Sequence, residues 1–238
     1  MFDTISLLSS QECESVRRAV LALRPRWITR GSPEHPFHTL GAASYIDASP
    51  APAAPRYAEV AVETNPLLRA HFPWLYARVM YRLSVYLQAE VRTAAELALP
   101  GFHIWEGLNV PTGPLSVHFD LQYLSIPWPE VRRADRSRPL SFTLPIALPS
   151  QGGGLNSWDL SYEAHAADQR EAGRLTPVHE MIKDRTRTFH PYAEGVLTLH
   201  SGHTLHQIAA VERAFADDLR ITLQGHGLYC DGAWTIYW

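Results

Sequence analysis

His118 and Asp120 lie one residue apart, and this spacing is the strongest chemical signal in the chain. Side chains at positions i and i+2 of an extended strand point to the same face, so the pair can approach one metal ion. His206 offers a third ligand downstream, and the tripeptide from Arg220 to Thr222 offers a cation and a hydroxyl that can hold a carboxylate. Two histidines and one carboxylate are typical of non-haem Fe(II) sites that keep positions open for oxygen and a co-substrate.

Two helical regions are predicted upstream of these residues. Ser9 and Glu12 fit the S-x-x-E capping box of a first helix, whose apolar stripe continues to Pro25. Asn65 and Pro66 have the types expected at the N-cap and first position of a second, amphipathic helix that ends near residue 95. Both helices are expected to pack against a sheet.

The second part of the chain predicts a β-rich core. Eight candidate strands occur there, at residues 102–105, 115–124, 140–148, 155–160, 195–200, 204–209, 219–224 and 234–237. Short strands after a helical section are typical of an antiparallel barrel or a double-sheet jelly roll, so we predict a mainly β fold with N-terminal helices.

We expect one domain, in which residues 1–98 form a helical support region and residues 99–238 form the core. Residues 31–56 are rich in proline and predict irregular coil or short edge segments. The polar stretch 161–193 predicts a long insertion between strands, and such insertions are often functional lids.

Four segments, in their order along the chain, resemble the Fe(II)/2-oxoglutarate-dependent dioxygenase superfamily, whose fold is a cupin-like double-stranded β-helix. They are the triplet His118-Phe119-Asp120, the glycine-rich residues 152–159, residues 199–208, and the triplet Arg220-Ile221-Thr222. An isolated H-x-D triplet arises by chance in many proteins, whereas the ordered set is more specific. The resemblance spans residues 102–226, about half of the chain.

The resemblance implies that His118, Asp120 and a distal histidine bind Fe(II), and that Arg220 and Thr222 bind the distal carboxylate of 2-oxoglutarate. Three neighbouring histidines are candidates for the third ligand: His200, His203 and His206. We favour His206, because residues 205–208 resemble the start of the strand that carries this ligand.

The implied reaction consumes molecular oxygen, converts 2-oxoglutarate to succinate and carbon dioxide, and oxidises a small molecule such as an amino acid or a natural-product intermediate. Asp120 favours hydroxylation, desaturation or cyclisation over halogenation, because related halogenases have a small residue at this position. Five residues are candidates to line the substrate pocket: Trp105, Asn109, Gln122, Tyr123 and Trp158. Two alternatives remain open, a cupin-like metalloenzyme that does not use 2-oxoglutarate and a non-catalytic ligand-binding β-barrel.

The composition of the chain limits the classes of partner and the cellular compartment that we expect. The 238 residues have a formal net charge of −3, which does not favour nucleic acid, and no apolar run approaches the about 20 residues that span a bilayer. The N-terminus shows no signal peptide, and Cys13 and Cys230 are too far apart in sequence to indicate a disulfide framework or a zinc site. We therefore expect a cytoplasmic protein of open oligomeric state.

Overall fold

The computed structural model describes residues 2–48, 54–126, 134–172 and 177–238, and strands dominate these ranges. The strands are β1 (Phe2–Ser6), β2 (Ile28–Ser32), β3 (His35–Leu40), β4 (Glu90–Thr93), β5 (Gly101–Glu106), β6 (Ala134–Ala147), β7 (Gly154–Ser161), β8 (Arg187–Pro191), β9 (Val196–Ser201), β10 (Thr204–Ile208), β11 (Leu219–Cys230) and β12 (Ala233–Tyr237). The helices are α1 (Ser10–Ala22), α2 (Ser44–Asp47), α3 (Ala54–His71), α4 (Pro73–Leu87), α5 (Tyr162–Ala172) and α6 (Val178–Ile182).

Nine strands form the main sheet, in the order β1-β9-β6-β11-β5-β3-β2, with β12 beside β11 and β4 beside β12. The 12-residue strand β11 lies at its centre. Residues 219–224 of β11 pair with β5, residues 226–230 pair with β12, and the other edge pairs with β6. This long strand therefore connects the two halves of the sheet.

Three strands form a second sheet, in the order β10-β7-β8. Its strand β10 follows β9 of the main sheet after a two-residue turn, so the chain passes directly from one sheet to the other. The two sheets form a double-stranded β-helix, or jelly roll, with helices contributed by the N-terminal part. The fold class predicted from the sequence is confirmed.

The outer face of the main sheet packs against α1, α3 and α4 in one hydrophobic core. Leu75, Val79 and Leu83 recur every four residues of α4 and are fully buried. Burial of one such side chain stabilises the fold by about 1.5–3 kcal/mol. Ile221 and Leu223 of β11 belong to the same core, which leaves the intervening side chains of this strand to face the other way.

The predicted capping box at the start of α1 is confirmed. The backbone N–H of Glu12 donates to Ser9 Oγ at 3.3 Å, and the N–H of Ser9 donates to Glu12 Oε2 at 2.9 Å. The helix ends at Ala22, before Pro25.

The predicted second helix differs from the structure. Two helices, α3 and α4, occupy this region, and Asn65 lies inside α3 rather than at an N-cap. Its buried amide donates to the Leu97 carbonyl and accepts from the Leu99 N–H, both at 2.9 Å. Asn65 therefore connects α3 to residues 97–99, whereas Pro66 is exposed inside the helix.

The predicted strand 115–124 is wrong over most of its length. Only an isolated bridge joins His118 to His206, and residues Gln122–Leu124 form a 3-10 turn. Proline at position 114 and the turn at 122–124 limit pairing to the middle of the segment. The segment is an irregular edge beside β10.

The first 98 residues contribute more than helices, because β1 to β4 also join the main sheet. The region 31–56, expected as coil or edge segments, supplies the six-residue strand β3 and the short helix α2, while its residues 49–53 lie outside the described residues. The insertion 161–193 contains α5, α6 and β8, while residues 173–176 lie outside the described residues. None of the helices in the described part of the chain is long and apolar enough to cross a membrane.

Candidate metal centre

His118, Asp120 and His206 come together at the junction of the irregular edge and β10. Nε2 of His118 lies 3.7 Å from Asp120 Oδ1, and Nε2 of His206 lies 3.4 Å from Asp120 Oδ2. One ligand atom from each residue lies within 4.8 Å of the others. Three donors at this separation can share one ion, which matches the group favoured from the sequence.

Backbone pairing positions the two imidazoles. His118 and His206 exchange both backbone hydrogen bonds, at 2.9 and 3.0 Å, so their side chains lie on one face of the bridge. Nδ1 of His118 lies 3.1 Å from the Ser116 carbonyl, and Nδ1 of His206 lies 2.8 Å from the Thr204 carbonyl. Because a carbonyl only accepts, each Nδ1 carries the proton and each Nε2 keeps its lone pair for a metal.

Asp120 is fixed by the turn between β9 and β10. Its backbone N–H donates to the Gly202 carbonyl at 2.8 Å. A Cβ at position 202 would lie 3.3 Å from the Asp120 Cβ and 3.0 Å from its carbonyl oxygen, so glycine permits this close approach. The pair in the H-x-D triplet is therefore aligned by β10 and its preceding turn, and not by a continuous strand.

The protonation states of Asp120 and His206 favour the binding of a cation. Burial would raise the pKa of Asp120, but four imidazoles outweigh it and hold the pKa well below its usual range. Burial lowers the pKa of His206 to about 3, despite the neighbouring Asp120 carboxylate. At neutral pH the carboxyl is therefore ionised and the imidazole neutral, which are the forms that bind metals.

The other two candidates for the third ligand have different surroundings. His203 Nε2 lies 2.8 Å from the Tyr123 hydroxyl, and His203 Nδ1 contacts the Glu163 carboxylate. His200 lines the cavity beside His206, with ring centroids 4.6 Å apart, but lies outside the group of three ligand atoms. The geometry thus favours His206.

The inner face of β11 forms a polar row that leads to this group. Arg220, Thr222, Gln224 and His226 alternate along it, and His226 Nδ1 lies 3.8 Å from Asp120 Oδ2 and 3.1 Å from Ser141 Oγ. Burial lowers the pKa of His226. Sequence reasoning missed this histidine because the predicted strand ended at Gln224, although the alternation continues for one further step.

Arg220 lies at the other end of the row and is 2% exposed. Its Nη1 and Nη2 have no hydrogen-bond partner among the described residues, and its guanidinium lies over the Trp105 ring at 4.7 Å. Burial lowers its pKa, although Arg remains protonated in proteins. A buried guanidinium with unmet donors fits an anion, and its planar fork fits a carboxylate.

Two more buried polar atoms, on residues of the cavity wall, lack partners within the described ranges. They are Ser44 Oγ on α2 and His103 Nδ1 on β5, and both residues line the cavity. Burial places the pKa of His103 well below its usual value, so its ring is neutral. The Tyr45 hydroxyl lies 3.4 Å from His103 Nε2. If that hydroxyl donates, Nδ1 carries the proton and adds a second kind of donor near Arg220.

A cavity of about 500 Å³ is lined by the three candidate ligands and by Ser44, His103 and Trp105, a volume common for small-molecule sites. Arg220 and Thr222 do not line it, although Trp105, which lies under the Arg220 guanidinium, does. Two of the five predicted pocket residues, Trp105 and Gln122, line it, and Asn109, Tyr123 and Trp158 do not. Trp158 packs instead with Leu160 and Leu205. Residues that the sequence did not reveal also line the cavity: Ser44, Tyr45, His103, Tyr192, Gln224 and His226.

Comparison with known proteins identifies the fold but no close relative. No family model matches the chain, and no curated protein matches it. Solved structures do match. An N-substituted L-amino acid dioxygenase from Burkholderia ambifaria AMMD, in complex with alpha-KG, is 16% identical, and the alignment covers 99% of this chain and 85% of that chain with a TM-score of 0.52.

Two further structures are similar. The non-heme alpha ketoglutarate dependent carbocyclase SnoK from nogalamycin biosynthesis is 16% identical over 95% of this chain and 78% of that chain, with a TM-score of 0.53. EvdO2 from Micromonospora carbonacea var. aurantiaca, complexed with 2-oxoglutarate, is 16% identical over 96% and 86%, with a TM-score of 0.51. At these identities the comparisons establish a shared fold.

Proposed function

We propose that this protein is an Fe(II)- and 2-oxoglutarate-dependent oxygenase that oxidises a small molecule. The observation that carries the proposal is the polar row of β11, which begins at the buried Arg220, whose Nη1 and Nη2 have no partner among the described residues, and leads to the His118, Asp120 and His206 group. Arg220 needs an anion and the three-residue group needs a metal with open positions, and 2-oxoglutarate with Fe(II) would supply both.

The residues present fit the two groups. Two imidazoles and one carboxylate are the donors of a facial Fe(II) site, and Arg220 supplies the charge for the distal carboxylate of 2-oxoglutarate. Thr222 lies two residues from Arg220 on the same strand face, and its hydroxyl would donate to the same carboxylate. When bound, iron and 2-oxoglutarate supply oxidising power from molecular oxygen, with succinate and carbon dioxide as products.

Residues of the chain itself orient the metal ligands and exclude water from the cavity. The Ser116 and Thr204 carbonyls hold the imidazole protons on Nδ1, so that each Nε2 keeps its lone pair and would bind the ion. Apolar side chains of the cavity, including Phe37 and Leu155, limit water around the reacting atoms. Two of the three similar proteins are named as an N-substituted L-amino acid dioxygenase and as a carbocyclase from nogalamycin biosynthesis, which supports a small organic substrate.

Asp120 also affects which type of reaction we expect. Its carboxylate fills the position that related halogenases leave open for halide, so hydroxylation, desaturation or cyclisation is preferred. Among these we favour hydroxylation.

The test is anaerobic calorimetry of the purified protein. Fe(II) or Mn(II) followed by 2-oxoglutarate should bind with one-to-one stoichiometry, and aerobic turnover should release succinate. A protein variant with Asp120→Ala should do neither, whereas a surface change such as Arg18→Leu should leave both intact. Absence of metal-dependent 2-oxoglutarate binding by the unaltered protein would refute the proposal.

A further inference from the structure

Gln122 contacts the carboxylate of the candidate metal site. Its Nε2 donates to Asp120 Oδ1 at 3.0 Å. The residue begins the 3-10 turn Gln122–Leu124, which folds the side chain back over Asp120. The contact therefore depends on the local turn and does not require a second element of the fold.

The orientation of this amide is determined by Asp120. An ionised carboxylate only accepts hydrogen bonds, so the amide nitrogen must face it. The amide carbonyl consequently points elsewhere: Gln122 Oε1 is buried, and no described residue donates to it. A buried acceptor without a donor destabilises a fold. The hydrogen bond from Gln122 to Asp120 is therefore present although it leaves the Gln122 side-chain carbonyl without a donor.

The two carboxylate oxygens have different neighbours. Oδ2 faces His206 and His226, at 3.4 and 3.8 Å. Oδ1 faces His118 Nε2 at 3.7 Å and receives the Gln122 hydrogen bond. Rotation about the Cβ–Cγ bond would exchange these surroundings, and the Gln122 amide restrains that rotation.

We infer that Gln122 is a positioning residue, which orients the Asp120 carboxylate for the metal. The inference rests on the proposed metal site. Outer hydrogen-bond partners of ligating carboxylates affect affinity because they hold the ligand in its binding geometry before the ion arrives. Gln122 is not itself a ligand, since its nitrogen donates to Asp120.

The test compares a glutamine at the site with one outside the cavity. Gln122→Met keeps nearly the same volume but removes the amide. Gln151→Met is the matched control, because the exposed Gln151 amide accepts from the Arg213 N–H at 2.8 Å and does not line the cavity. Mn(II) is titrated into metal-free protein, and free Mn(II) is measured by electron paramagnetic resonance. The visible spectrum of the Co(II)-loaded protein reports the coordination geometry.

We expect Gln122→Met to weaken Mn(II) binding by about 10- to 100-fold and to change the Co(II) spectrum. Gln151→Met should preserve both, and urea unfolding of the metal-free variants should be alike. Equal Mn(II) affinity in Gln122→Met and the unaltered protein would overturn the inference. A loss of affinity matched by a loss of metal-free stability would also overturn it, since that result assigns Gln122 a structural role. Failure of the unaltered protein to bind Mn(II) would instead refute the proposed function.

Discussion

The guanidinium of Arg220 lies over the indole of Trp105, 4.7 Å from the ring centroid, and the two residues are direct partners between β11 and β5. Stacking on an aromatic face orients the guanidinium plane but uses none of its N–H donors. Nη1 and Nη2 therefore remain available to a carboxylate. The register between β11 and β5 thus places Arg220 beside Trp105, and stacking on this ring holds the guanidinium in a position to bind an anion.

Arg220→Leu should weaken 2-oxoglutarate binding to the Mn(II)-loaded protein by about 30-fold or more, since truncating one partner of a buried charge pair costs about 2 kcal/mol or more. Arg220→Lys should recover only part of the affinity, because an ammonium lacks the planar fork. Isothermal titration calorimetry measures both. Unchanged catalysis in Arg220→Leu would instead support a cupin-like enzyme that does not use 2-oxoglutarate.

The identity of the third ligand can be tested by comparing two histidines. His206→Ala should reduce Mn(II) affinity beyond the about 100-fold expected from loss of an outer partner. His203→Phe should keep that affinity, because the His203 ring nitrogens are engaged with Tyr123 and Glu163. Titrations at one pH and salt concentration give the comparison, and the reverse order of effects would assign the ligand to His203.

A buried ion pair supports the cavity wall. Arg30 donates to both oxygens of Asp47, at 2.8 and 2.6 Å, and Asp47 Oδ2 also accepts from the Ala43 N–H at 2.9 Å. Asp47 is the last residue of the short helix α2, whose residues Ser44 and Tyr45 line the cavity.

Asp47→Ala should therefore lower the free energy of unfolding by about 3–5 kcal/mol, because it leaves the Arg30 charge buried and unpaired. Arg56→Ala is the control: its exposed side chain lies 3.7 Å from Asp47 Oδ1, and such pairs contribute at most about 1 kcal/mol. Urea titration measures both changes. Similar losses in the two variants would contradict the buried-pair account.

Local signals in the sequence predicted some parts of this site and not others. The alternation along β11 placed Arg220 and Thr222 on one polar face, and it reappears in the structure. The pairing of His118 with Asp120 was recognised, but the physical reason was wrong, since a single bridge and the Gly202 turn align them. A two-residue spacing indicates a shared face and does not distinguish a strand from a bridged loop.

Long-range groupings could not be read from the chain. His103, Tyr45 and Tyr192 reach the cavity from β5, α2 and the end of the insertion, and only the pairing of strands distant in sequence brings them together. Strand β1 was missed for a similar reason. It is five residues long and is defined by its partner β9 rather than by its own pattern.

The cap of α1 predicts a modest effect on stability. Ser9→Ala removes the side-chain acceptor for the Glu12 N–H, and loss of such a cap costs about 1 kcal/mol. Ser9→Thr, which retains a hydroxyl that can accept from the Glu12 N–H and donate to the Glu12 carboxylate, should restore most of the stability. Chemical denaturation of the two variants checks this, and an equal loss in both would show that the cap is not responsible.

The metal-free protein should lose stability as the pH falls below about 6.5. Burial lowers the pKa of His103, His200, His206 and His226 in the fold, to about 3 for His206. In the unfolded chain each histidine titrates near its ordinary value of about 6.5.

Below that pH the unfolded state binds protons that the folded state does not, so the free energy of unfolding declines until the folded pKa is reached. The slope is at most about 1.4 kcal/mol per pH unit for each histidine. Urea unfolding from pH 7.5 to 5 measures it, and His103→Gln should flatten the curve by one histidine's share. Stability that is constant over this range would mean that these imidazoles are protonated equally in both states, which their burial opposes.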